Sequence, residues 1–431
     1  MESTSAALSP GQRLLWQMGR LRPDLGALNC PVAVELSGPL DRQALQTALS
    51  GLVARHEALR TRFVGRGRSL RQVVDLDSDP PLANADLSQE NSPSVRLAER
   101  LAGELSTPID VESSPLRATL FKLSSDRHVL CLTITHLVTD AWSTGVLMRD
   151  LCDLYREATG LGAGPPPLVR SVLDELEERA RFERTEAFSR LGARWATTLR
   201  DAPLPNVPRG PVVPALANPT GTLTHSFRPG TTARTAASAA RWRTTPFVVM
   251  LTAFGLALRS LNGQQDFAVA SLFANRMNPE SHDLVGFLAN MVLLRLALPS
   301  AARPPELIGS VHATTLKAIA GQSFPYHMLP AGTVSSASGR PDDVVFQMMT
   351  DPGARRRVGD LELVLMLPEA IGSRFGLELA IAPVTGEYRA VLFYRLDWCD
   401  EEWASGLLAS FVASVEELTG EPGVRVPTDR T

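Results

Sequence analysis

The sequence predicts an α/β (α+β) chain built of two similar parts. Three observations lead there. The 431 residues are 44% hydrophobic, enough for two cores rather than one. Short β-branched or aromatic runs alternate with segments of helical spacing through both halves. A Pro- and Gly-rich stretch, "DAPLPNVPRGPVVPALANPTG" (201–221), lies between them. The expected division is an N-terminal part over 1–175, a helix and Pro-rich linker over 176–221, and a C-terminal part over 222–431.

The elements follow in order. Leu45, Ala48, Leu49, Leu52, His56, Leu59 and Phe63 recur at spacings of three and four, which predicts one helix over 41–63 with Asp41 as its N-cap. "LRATLFKL" and "HVLCLTIT" flank "SSDR" and read as a hairpin. Helical spacing resumes over 142–155 through Val146, Leu147, Leu151 and Leu154. "TGLGAGPPPLV" (159–169) is a break. Its prolines forbid the helix that a dinucleotide-binding glycine loop must open. A charged helix is expected over 171–199. In the second half, helices are expected from about 245, over 305–319 and over 400–418. Strands are expected near 267–272, 344–349, 361–367, 375–381 and 390–394.

Composition excludes several function classes. Net charge is −3, so no basic field is available to hold nucleic acid. Cys30, Cys131, Cys152 and Cys399 are far apart and form no CxxC, which disfavours zinc and thiol-redox chemistry. Free thiols in a reducing cytosol fit better, so a cytoplasmic location is expected. The N-terminus lacks the charged and apolar regions of a signal peptide. The apolar run "PFVVMLTAFGLAL" is too short to span a bilayer and reads as a core helix. No metal site and no membrane association are expected.

One segment stands out: "LCLTITHLVTDAWSTG". A strand ends in Thr135-His136, and Asp140 follows at the start of a helix. A neutral imidazole there could take a proton from an attacking amine or hydroxyl, since its ordinary pKa is about 6.5. Asp140 could orient the histidine, or Thr139 or Asp140 could simply cap the helix that follows. If Asp140 points away and is buried, it needs an arginine partner. The sequence contains no GxSxG, phosphate loop or HExxH to compete.

"THLVTDAWS" resembles the HHxxxDGWS core of nonribosomal peptide synthetase condensation domains, within the wider chloramphenicol acetyltransferase-like superfamily. Other segments follow in the same order. "LSPGQRLLW" resembles SxAQxRLW, and "RHEALRTRF" matches RHExLRTxF at every fixed position. "RWATTLRDAPLPNVP" resembles the family's Trp-containing helix end and Pro-rich exit. "FANRMNPESHDLVGFLANMVLLR" resembles an Asn-Arg segment followed by IGxFVNTxxxR. "QSFPYHML", "RPDDVVFQMM" and "SRFGLEL" are similar to QDxPFExL, RxPLFQxxF and KFDLxL. The resemblance covers about residues 8–400.

That resemblance implies two chloramphenicol acetyltransferase-like subdomains, related as a pseudodimer, forming a V with a central tunnel. The second motif histidine, His136, is implied to be catalytic. Asp140 is implied to be structural and paired with Arg276. Thr135, Ala141, Trp142, Ser143, Asn290, Met291 and Gly376 are the implied motif- or tunnel-lining positions. The implied donor is an acyl or aminoacyl group on the phosphopantetheine arm of an acyl or peptidyl carrier protein acting in trans. The acceptor is an amine, or alternatively a hydroxyl, on a small molecule or a second carrier. No cofactor is expected to be bound covalently. From where the motifs begin and end, the chain is expected to be either a free-standing protein or a domain excised from a larger synthetase; a monomer with pseudo-twofold halves is expected. The chain departs from the pattern at Thr135, Ala141, Asn290-Met291 and Gly376. These departures also fit a second reading, a catalytically impaired domain that recruits other proteins. The cluster "GARRRVG" (353–359) reads as a solvated loop, or alternatively as a patch for an acidic carrier.

Overall fold

The computed structural model describes residues 5–21, 28–76, 81–208, 220–335, 339–349, 355–366, 375–384 and 386–420. The elements begin with β1 (Ser5–Ala7), α1 (Pro10–Leu21), β2 (Asn29–Ser37), α2 (Arg42–Arg55), β3 (Thr61–Val64), β4 (Arg71–Val74) and β5 (Leu82–Asp86). Then come α3 (Pro93–Ser106), β6 (Leu116–Lys122), β7 (Arg127–Thr135), α4 (Ala141–Ala158), α5 (Val172–Phe182) and α6 (Glu186–Thr198). The second half holds β8 (Thr220–Ser226), α7 (Thr231–Arg241), α8 (Pro246–Asn262), β9 (Asp266–Phe273), β10 (Asn290–Ala297), α9 (Pro304–Gly321) and β11 (Val344–Met348). It ends with β12 (Arg355–Val358), β13 (Leu361–Met366), β14 (Leu377–Val384), β15 (Glu387–Arg395) and α10 (Glu401–Thr419).

The chain forms two compact units, and neither is continuous in sequence. The first comprises 1–185, 274–289 and 351–371; the second comprises 186–273, 290–350 and 372–431. The expected single block over 222–431 therefore needs correction. Backbone hydrogen bonding is the reason: β13 pairs antiparallel with β2, Glu362 opposite Ser37 and Met366 opposite Ala33. The 274–289 segment joins the first unit through the buried contacts of Arg276 with Asp140.

In the first unit the main sheet runs β12-β13-β2-β7-β6-β5. All its pairings are antiparallel except β5 with β6. Along β7 all eight residues after Arg127 are buried, as a central strand covered on both faces requires. Pro31 lies inside β2, where a proline removes a ladder donor. The register accommodates it, because β13 ends opposite Ala33 and leaves that part of β2 paired on one side by β7. Helices α2 and α4 pack together. Their apolar rows, Leu45, Leu49 and Leu52 with Val146, Leu147 and Leu151, share one core.

The helix expected over 41–63 ends earlier. Asp41 caps it as expected, accepting from Gln43 and Ala44 N–H. His56 then takes an extended conformation, a short 3-10 turn follows, and Thr61 and Phe63 lie in β3. Phe63 fits the three-four spacing yet reaches the core from a strand, so β-branched and aromatic preference overrode the helical pattern. The charged helix expected over 171–199 is likewise two helices, α5 and α6.

Buried His56 bonds through Nε2 to Asp150 Oδ2 at 2.9 Å, and Arg55 and Arg149 bond the same carboxylate at 2.7 Å each. Burial pushes the imidazole pKa down, and the Asp150 charge only partly opposes it. A histidine held neutral by folding is protonated first in the unfolded chain. The unfolded state then binds more protons as pH drops below about 6.5, so stability falls there by up to about 1.4 kcal/mol per pH unit until the folded value is reached. Urea titrations across that range are expected to show the slope, and His56→Gln is expected to flatten it.

In the second unit the sheet runs β10-β9-β11-β14-β15-β8. Strand β11 is parallel to β14 and β9, and the other pairings are antiparallel. Helix α8 is apolar on nearly all sides because it is buried nearly all round, packed on α10. Among the described residues no single helix is long and apolar enough to cross a membrane. Gly376, just before β14, sits against Trp398: a Cβ there would lie 2.6 Å from the indole Cδ2. The glycine leaves room for a buried aromatic. Gly376→Ala is expected to cost about 1–3 kcal/mol by overpacking, read as a lowered Tm, and a smaller residue at 398 should recover part of it.

Of the stretch 201–221, residues 209–219 lie outside the described residues. The described part is not a free arm: Ala202 is buried and bridges Val334 within the second unit. Of the arginine cluster, 353–354 also lie outside the described residues. Arg355–Val358 form the edge strand β12, with Arg355 paired to Glu362 at 2.8 Å.

Candidate active site

Residues 136–140 join β7 to α4, and this turn carries the site. Buried Thr135 closes β7, its register partner being Asn29. His136 N–H donates to Leu28 O at 2.6 Å, and Val138 N–H returns to Thr135 O at 3.1 Å. From behind, buried Gln12 donates to Leu137 O at 2.8 Å and to Gln72 at 3.1 Å. The turn is thus fixed from α1, from the residue preceding β2 and from its own strand.

His136 Nδ1 lies 2.7 Å from Thr139 O. A carbonyl can only accept, so Nδ1 carries the proton and the basic lone pair belongs to Nε2. The imidazole is half-buried. Its ring meets the Phe287 ring nearly perpendicular, at 87°, with centroids 5.2 Å apart.

Asp140 is committed elsewhere. As N-cap of α4 it accepts Ser143 N–H at 3.0 Å and Ser143 Oγ–H at 2.8 Å. Arg276 donates to both of its oxygens, Nη1 to Oδ2 at 2.9 Å and Nη2 to Oδ1 at 3.0 Å. The N–H groups of Leu288 and Ala289 each donate to Oδ2 at 3.0 Å. Both side chains are almost wholly buried. Burial alone would raise the Asp140 pKa, but the Arg276 charge and these donors outweigh it and hold the carboxyl below its ordinary range. The group that orients His136 through Nδ1 is therefore the Thr139 carbonyl, and the carboxylate locks the 274–289 segment onto the α4 cap.

The remaining first-unit candidates gather here. Ser143 Oγ also accepts Gly286 N–H at 3.1 Å. Trp142 donates Nε1–H to His282 O at 2.8 Å, and its ring lies 5.7 Å from the Arg276 guanidinium carbon. Ala141 is exposed and opens α4, and its φ is not among the positive values. No left-handed conformation calls for glycine there. Its N–H is one of the helix's first donors, which have no acceptor within the helix.

Asn290, Met291 and Gly376 belong to the second unit. Asn290 begins β10 and donates Nδ2–H to Gln322 O at 2.9 Å; Met291 packs on that unit's core. Sequence reasoning missed the Thr139 carbonyl, Phe287 and Arg179. Arg179 donates to Leu288 O at 2.8 Å and to Asn275 O while pairing with Glu175 at 2.7 Å. A charged helix gave no local sign that one of its arginines clips a segment so distant in sequence.

Among the described residues no group of His, Cys, Asp and Glu could hold a metal ion. The four cysteines form no disulfide among the described residues, and burial pushes the thiols of Cys131 and Cys152 up to about 11.

A condensation-domain family model matches residues 2–426. The chain belongs to the condensation-domain family. Phosphinothricin tripeptide synthetase PhsC of Streptomyces viridochromogenes is 34% identical over 75% of this chain and 30% of its own length. Chondramide synthase cmdD of Chondromyces crocatus is 29% identical over 97% of this chain and 11% of its own length. This condensation domain thus spans under a third of the length of these curated relatives. Among solved structures, SgcC5 from Streptomyces globisporus superposes with TM-score 0.81 at 25% identity, covering 97% of this chain and 99% of that one. The first condensation domain of the CDA synthetase superposes with TM-score 0.83 at 20% identity, covering 98% of each, a likeness of fold.

Proposed function

We propose that this condensation domain is an acyltransferase of natural-product assembly, joining a carrier-bound acyl or aminoacyl thioester to an amine. The observation that carries the reading is the 2.7 Å bond from His136 Nδ1 to the Thr139 carbonyl, because it makes Nε2 the base. The donor is a thioester on the phosphopantetheine of a partner carrier protein, which supplies an activated carbonyl. His136 Nε2 takes a proton as the acceptor nitrogen bonds to the thioester carbon. The tetrahedral oxyanion is held by donors at the start of α4, where the helix dipole favours negative charge. Collapse breaks the C–S bond, and the imidazolium returns its proton to the thiolate. The energy of the thioester drives the step, and the protein orients and handles the proton.

A hydroxyl acceptor, giving an ester, uses the same residues in the same roles. A single-turnover assay with acyl-loaded carrier protein and paired amine and alcohol acceptors separates the two by product mass. Loss of transfer in folded His136→Ala is expected with either acceptor. Transfer at the wild-type rate would overturn the acyltransferase mechanism and favour the protein-recruiting alternative.

A further inference from the structure

Besides the Thr139 carbonyl, a second group meets the His136 ring, and it comes from outside the 136–140 turn. Phe287 is remote in sequence, in the segment that Asp140 anchors through the N–H groups of Leu288 and Ala289. Its ring stands at 87° to the imidazole with centroids 5.2 Å apart, the edge-to-face arrangement aromatic quadrupoles favour. The Phe287 ring is also met by α1. A Cβ on Gly11 would lie 2.8 Å from Phe287 Cε1, closer than such atoms approach. Gly11 is not among the residues with positive φ, so its backbone does not call for glycine. The absence of a side chain at Gly11 leaves the space Phe287 occupies, and the adjacent Gln12 is the side chain that holds Leu137 O.

We propose that Phe287, seated in the space left by Gly11, is a positioning residue that holds the His136 imidazole in its Nδ1–H form with Nε2 set for proton transfer. The Thr139 carbonyl fixes one ring atom; Phe287 fixes the plane about that bond. Asp140 thereby acts on the histidine at second hand, by anchoring the segment that delivers Phe287. The proposal rests on reading His136 as the base, so the test uses a readout that does not depend on product.

Protein labelled with ¹⁵N-histidine would be followed by long-range nitrogen–proton NMR, with His136 assigned by its loss in His136→Ala. In the wild type the Nδ1–H form is expected to exceed the Nε2–H form by about tenfold or more. Phe287→Ala and Gly11→Ala are each expected to bring the ratio below about threefold, with Tm showing that the fold persists. Phe287→Leu gives a milder variant should the alanine fail to fold. In the Phe287→Leu background a Cβ at position 11 has room, so Gly11→Ala is expected to change the ratio less than about twofold there. An unchanged ratio in folded Phe287→Ala or Phe287→Leu would overturn the proposal, as would an equal effect of Gly11→Ala in both backgrounds. If His136→Ala still forms product in the transfer assay, the base reading fails, and the tautomer result stands apart from it.

Discussion

Asp140→Ala is expected to destabilise the first unit by about 3–5 kcal/mol, because it strands Arg276 as an uncompensated buried charge. In a unit of this size that loss lowers Tm by roughly 10 °C. Four further donors depend on the same carboxylate: Ser143 N–H and Oγ–H, and the N–H groups of Leu288 and Ala289. The 274–289 segment should therefore loosen, seen as faster amide exchange at Leu288 and Ala289. Arg276→Ala should do the same from the other side. Replacing both by apolar residues of similar volume should cost less than the sum of the single changes, since neither charge is then left alone. Acid should mimic the first change. The folded carboxyl is held below its ordinary range, so its stabilisation is complete above about pH 4 and is lost as pH falls through the folded value.

His136→Ala should behave in the opposite way. The ring is half-buried and its polar contact lies within a turn that Gln12, Leu28 and Thr135 also fix. Its removal should leave Tm close to the wild-type value and lower transfer by about 10²–10⁴, the usual contribution of a positioned proton acceptor. His136→Gln should not restore the rate, because an amide can hydrogen-bond but cannot take the proton. The contrast would separate the two motif residues: loss of Asp140 is expected to change whether the site assembles, loss of His136 whether the assembled site reacts.

Local features of the site were legible in the sequence, and distant ones were legible only through motif resemblance. Hydrophobic spacing marked the β6–β7 hairpin and α4, and so placed His136 and Asp140 at a strand-to-helix turn. The need of a buried carboxylate for a cation was a physical expectation; that Arg276 supplies it came from the Asn-Arg segment. The end of α2 at His56 was hidden because Leu59 and Phe63 keep helical spacing while reaching the core from a 3-10 turn and a strand. The return of β13 to the first unit was hidden as well. Its pairing with β2 is set by backbone bonds between residues remote in sequence, which leave no periodic signature. Phe287 escaped for the same reason, since nothing local distinguishes a ring that touches His136 from one that fills a core. Ala141 and Gly376 looked like erosion of the motif. The structure gives them physical accounts: an ordinary helical start for Ala141, and room for Trp398 at Gly376.

In the proposed mechanism His136 takes the acceptor's proton while Asp140 builds the site. Wild type and His136→Ala expressed in a host lacking the gene, with carrier-bound intermediates and products followed by mass spectrometry, separate the two roles. The expected result is a folded variant that accumulates the unjoined acyl-carrier species, whose mass would also identify the donor. Full product from the folded variant would contradict it.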